Sequence, residues 1–190
     1  MTKTFMEILD EEEIDLAVGP FASFLIPPGS HDGDRTWSRY AYGYDAAFRE
    51  LFETAWQAWP RRDYLVEPVI FTGRHALELA MKDAADRLSW HTGELVKFLG
   101  HSLSERWEEL LRQLRLAEYS TLDEWTAHCS KIIAELHTLD PDGMRFRYPN
   151  DKANEPFVNS KVELEDFGRA YWHISTYCDA VTTMVQESDG

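Results

Sequence analysis

Apolar residues fall at helical spacing along most of the chain. Between Ile70 and Trp90, residues Ile70, Gly73, Leu77, Ala80, Met81, Ala84 and Leu88 make one stripe, while Phe71 and Leu79 add apolar surface on other sides. A helix apolar on several sides is covered by several neighbours, which predicts a central element. Phe48, Leu51, Phe52, Ala55 and Trp59 define an amphipathic helix over 44–59 that Pro60 ends. A second helix is expected from near Asp63 into the central one, with Pro68 starting a new helix or kinking it. Residues 91–101 read as a connector with two glycines. Ser102 to Glu105 has the form of a capping box, followed by Leu103, Trp107, Leu110 and Leu114 at 4-3-4 spacing. Thr121 and Glu124 suggest another box, ahead of Trp125, Cys129, Ile132 and Leu136. After a turn-rich loop over 139–156, a last helix of about 161–187 carries Leu164, Phe167, Tyr171, Ile174, Cys178, Val181 and Val185. The pattern predicts an all-α helical bundle of about five main helices, a single domain over 44–190 preceded by an irregular N-terminal arm over 1–43.

That arm holds an acidic run from Asp10 to Asp15, an apolar segment Phe21–Ile26 and a breaker-rich PPGSHDGD. Its aromatics Trp37, Tyr40, Tyr42 and Tyr44 are expected to pack on the bundle, with a second subunit as the alternative. At 190 residues and a formal charge of −15, the chain can bury a sizeable core but offers no general electrostatic grip on DNA or anionic lipid. A local basic pocket remains compatible with that total. No apolar run approaches the roughly 20 residues that span a bilayer, and the acidic start lacks the layout of a signal peptide. A cytoplasmic location without membrane contact is the expectation. Cys129 and Cys178 lie on apolar stripes and read as core residues of a reducing compartment.

Seven histidines invite a metal reading. No HEXXH motif occurs, His75 and Glu78 on the central helix could contribute two ligands at i, i+3, and Arg74 and Lys82 beside them would oppose a cation. Neither a metal nor another cofactor is expected. No nucleophile elbow or phosphate-binding glycine loop is present. What remains is Arg74, His75, Glu78 and Lys82 on the central helix, His101 at the next helix start, and Arg145 and Arg147 in the late loop. An extended Arg145–Tyr148 segment would place both arginines on one side. If the three islands close around a common water-accessible hollow, they suit an anionic ligand or an RNA phosphate, with a histidine for acid–base work. The competing reading is an i, i+4 charge ladder with the arginines tying the loop to carboxylates.

At these residues the chain resembles bacterial HEPN-like proteins. The resemblance rests on Arg-His-Ala-Leu-Glu-Leu-Ala-Met-Lys (74–82), on Gly100-His101-Ser102-Leu103 with Trp107 and Leu110, and on Asp140-Pro141 with Phe146-Arg147-Tyr148-Pro149, covering about residues 60–185. It implies a helical-bundle module of defence, toxin–antitoxin or regulatory systems, often a homodimer and often a metal-independent RNase. The family signature is an arginine followed after four to six residues by a histidine. Arg87–His91 and Arg169–His173 each have three intervening residues, one short of it. Three expectations follow: a module binding a partner protein, nucleotide or RNA without the standard RNase motif; a ribonuclease toxin using His75, His101 or His173 with Arg169; or a purely structural homodimeric bundle.

Overall fold

In a computed structural model, residues 36–58, 60–61, 63–98, 100–157 and 162–188 are described, and they belong to one compact unit. The expectations for residues 1–35, including the acidic run and the apolar segment 21–26, lie outside the described residues.

Helix α1 spans Trp37–Gln57, so it begins seven residues before the expected start at 44. Thr36 caps it, its hydroxyl accepting the Arg39 amide at 3.2 Å. Residues 37–43 are therefore helix rather than irregular arm. Of their aromatics, Trp37 meets Phe98 edge-on at 5.4 Å, while Tyr40 and Tyr42 are exposed.

A short 3₁₀ turn, Asp63–Leu65, leads into α2, Val66–Thr92. Pro68 falls in the first turn of α2, where its missing N–H would have no helical partner, so the helix starts there without a break. Gly93 ends α2 at φ 74, its amide bonding the Ser89 carbonyl at 2.8 Å. The predicted Ser102 cap is present on α3, Leu103–Leu116, with the serine hydroxyl accepting the Glu105 amide. For α4, Glu124–Leu139, the cap is Asp123 and not Thr121, because its carboxylate accepts both the Thr126 amide at 2.9 Å and the Thr126 hydroxyl at 2.6 Å. The last helix, α5, is Leu164–Ser188.

All seven apolar positions expected on α5 are buried, as are all four on α3. On α4 the buried face is Thr126, Cys129 and Ile133, with Trp125 exposed and Ile132 and Leu136 half-buried. A hydrogen bond between Thr126 and Tyr177 hydroxyls, 2.9 Å, turns that helix so that 126 faces inward. Helix α2 is the central element: α1, α3 and α5 all pack against it, and α4 closes over α3 and α5. Close approach requires glycine at 73, where a Cβ would stand 2.7 Å from Phe48 and 2.8 Å from Phe167. Among the described residues there is no strand, only an isolated bridge between Asn150 and Pro156. No described helix is long and apolar enough to cross a membrane.

Candidate functional site

Arg74, Glu78 and Lys82 are spaced four apart, so α2 carries them on one face, beside its apolar stripe. Glu78 is the centre. Its carboxylate is 1% exposed. The Lys82 ammonium donates to Oε1 at 2.7 Å, and His101 Nδ1 stands 3.1 Å from Oε1 and 3.4 Å from Oε2. Arg74 Nη1 is 3.7 Å from Oε2, and His75 Nδ1 is 3.9 Å away, too far for a hydrogen bond. Lys82 lies under the rings of Trp37 and Phe98, at 5.1 and 5.9 Å from their centroids.

Arg74 stitches three segments together. Its Nε pairs with the buried Asp140 carboxylate at 3.1 Å, and its Nη2 donates to the carbonyls of His101 at 2.7 Å and Asp140 at 3.4 Å. Gly143, at φ 75, lies against the guanidinium, where a Cβ would come within 3.0 Å of Nη1. Asp140 also accepts the Arg145 amide at 3.1 Å. Around Arg145 the chain is a turn and not extended, since the Arg147 and Tyr148 amides both bond the Met144 carbonyl. The left-handed Gly143 and the Asp140 side chain together draw it into that shape.

Burial alone would push the Glu78 carboxyl up, but the ring of His75, the Lys82 ammonium and His101 outweigh it and hold the group down at about 2. Burial lowers the Arg74 guanidinium, an effect opposed by Asp140 and Glu78 and reinforced by nearby Arg147. An ionised Glu78 is an acceptor only, so the bonded Nδ1 of His101 carries the hydrogen. Its Nε2 is left for other partners, and the side chain is 59% exposed. The His75 side chain is 23% exposed, between Tyr44 edge-on at 4.4 Å and a parallel Phe71 at 6.2 Å. Arg147 covers the other part of that surface, 4.8 Å from the Phe71 ring centroid.

The three islands thus meet, but in a packed knot instead of around a hollow. Arg74, Glu78 and Lys82 are buried and committed to internal partners. Arg145 bonds the Leu139 carbonyl and lies 6.0 Å from the Phe146 ring. His75, His101, Arg145 and Arg147 are the members that reach the surface.

Arg169 and His173 belong elsewhere. They line a cleft of about 760 Å³ between α1 and α5 with Phe52, Trp56 and Trp172. Arg169 is paired with Glu165, and His173 meets His128 edge-on at 4.8 Å. Sequence reasoning missed Asp140 as the partner of Arg74, and Trp37 and Phe98 as the cover of Lys82. The Asp-Pro-Asp-Gly turn at 140–143 was the available signal for the first. Among the described residues, no group of three or more His, Cys, Asp or Glu side chains is placed to hold a metal ion.

Fold and site together define an all-α bundle organised on a buried carboxylate that guanidinium, ammonium and imidazole groups surround. Compared with family models, curated proteins and solved structures, the chain matches none.

Proposed function

We propose that this chain is a HEPN-like helical protein of a bacterial defence or regulatory system that binds RNA or a nucleotide on the surface formed by α2 and the 140–148 loop. One observation carries the reading: His75 and His101, from separate segments, both turn Nδ1 toward Glu78, with Arg147 over Phe71, the ring that stacks on His75. Imidazole and guanidinium groups donate to phosphate oxygens, and exposed Tyr44 and Tyr148 offer rings for bases to stack on. The test is fluorescence anisotropy with a labelled single-stranded RNA, and competition by ATP. Saturable binding that weakens in Arg147→Ala and His101→Ala proteins is expected. Absence of binding at about 0.15 M salt sinks the reading.

A second reading has its own support. A carboxylate that fixes the Nδ1 hydrogen of an exposed histidine leaves Nε2 suited to take a proton, the arrangement that acid–base catalysis uses. A metal-independent ribonuclease would use His101 in this way, with Arg147 near the phosphate. RNA incubated with the protein in chelator should then yield 2′,3′-cyclic phosphate ends, and His101→Ala should abolish them. Intact RNA under wild-type protein removes the catalytic version and leaves the binding one standing.

A further inference from the structure

We propose that the cleft between α1 and α5 is a docking groove for a basic amphipathic helix of another protein. This site is separate from the Glu78 surface and independent of the reading given above. The two helices run antiparallel: Asp45 of α1 bonds Tyr171 of α5, and further along α1 Phe52 lies against Gly168, earlier in α5. Between them is a trough of about 760 Å³. Its floor is Phe48, Phe52 and Tyr171, and the absence of a side chain at Gly168, where a Cβ would stand 2.6 Å from Phe52, leaves room for that ring to lie across the gap. Trp56 and Trp172 form its walls and are 42% and 57% exposed. Two large indoles flanking an apolar trough are the kind of anchors that dominate protein interfaces. A trough along two helices is the shape into which a third helix lays its apolar face.

Charge selects the occupant. Both arginines on the rim are already neutralised, Arg49 by Asp45 and Arg169 by Glu165. Glu50 and Glu53, also on the rim, have no cation among the described ion pairs, and Glu53 accepts the Gln57 amide. The edge is therefore negative on a chain of net charge −15. A second copy would bring the same acidic edge and the same net charge to the contact, so repulsion opposes it. A helix with lysines or arginines flanking its apolar stripe is attracted instead.

The experiment uses the full chain and two synthetic peptides of about 18 residues, one of leucine and lysine, one of leucine and glutamate, with leucines at the same amphipathic spacing. Calorimetry at about 0.15 M salt should show the Leu–Lys peptide binding at one per chain and no binding of the Leu–Glu peptide. Trp172→Ala, and separately Glu50→Lys with Glu53→Lys, should each weaken it by about tenfold or more. These side chains are exposed, and a thermal melt by circular dichroism verifies that each variant is folded. No binding, equal binding of both peptides, or affinity unchanged by Trp172→Ala overturns the proposal. So does a wild-type dimer in equilibrium sedimentation that Trp172→Ala dissociates, because a second copy would then occupy the groove.

Discussion

The α2 face around Glu78 and the α1–α5 groove solve opposite problems. Around Glu78 the groups are charged, mostly buried and paired with one another, whereas the groove is walled by exposed aromatic side chains. The difference shows where stability is held and where surface is left for others. It is sharpest in Glu78→Gln. The neutral amide leaves the Arg74 and Lys82 charges without a buried carboxylate between them, and removing one partner from a buried ionic cluster costs about 3–5 kcal/mol. Urea unfolding should show that loss, and a midpoint within error of wild type would mean that water, not Glu78, balances those cations.

Acid probes the same face more gently. The carboxyl of Glu78 is held at about 2 in the fold against a reference value of 4.5. A lowered folded value means that its contribution is complete above pH 4.5 and is lost as pH falls toward 2. By linkage the carboxylate is worth about 3 kcal/mol. The unfolding free energy should fall by that order between neutral pH and pH 2, and Glu78→Gln should flatten the slope. A slope remains in that variant, because Glu109, Asp123 and Asp142 are also held below their usual range by their hydrogen-bond partners, against the opposing effect of burial. An unchanged profile in Glu78→Gln would assign the acid sensitivity to these other carboxylates.

Two glycines contrast the interior with the groove directly. A methyl at 73 would meet Phe48 at 2.7 Å and Phe167 at 2.8 Å, both of them buried core rings. Gly73→Ala should cost about 1–3 kcal/mol through overpacking. A methyl at 168 meets Phe52 at 2.6 Å, but Phe52 is half-buried and borders the open trough, so it can swing aside. Gly168→Ala should therefore cost less than Gly73→Ala in paired thermal melts. The reverse order would show that the Phe52 ring is pinned.

Which of these features the sequence announces depends on how local they are. The 3-4 stripe of α5 and the Ser102 cap need only neighbouring residues, and both are where the pattern puts them. The Arg74–Glu78–Lys82 ladder is equally local, since helical spacing alone sets those residues on one face. On α4, however, Thr121 and Asp123 both satisfy a capping pattern, and the Thr126–Tyr177 bond across to α5 decides between the registers. The start of α1 was hidden for a similar reason. A run of aromatics from 37 to 44 reads as a packed arm, yet Ser38 Oγ bonding Asp83, and Trp37 over Lys82, are tertiary contacts that draw those residues into the helix. The link from Arg74 to Asp140 spans 66 residues and had no sequence signal beyond a turn motif. Nothing in the one-residue-short Arg169–His173 spacing could tell that it faces the α1–α5 cleft and not the Glu78 surface.

The smallest effect on folding belongs to a wall of the groove. Trp172 is 57% exposed, its ring meeting His173 edge-on at 5.3 Å. Surface substitutions away from caps, cavities and buried polar groups change stability by about 0.5 kcal/mol or less. Trp172→Ala should fall in that range, although it deletes the largest side chain in the sequence. A large indole that contributes little to the fold while walling an apolar trough is held in place by something other than stability. If Trp172→Ala instead lost about 2 kcal/mol or more in urea, a loss of the order seen for deleting buried side chains, the wall would be part of the core. The groove would then be a packing feature, and the contrast with the Glu78 face would disappear.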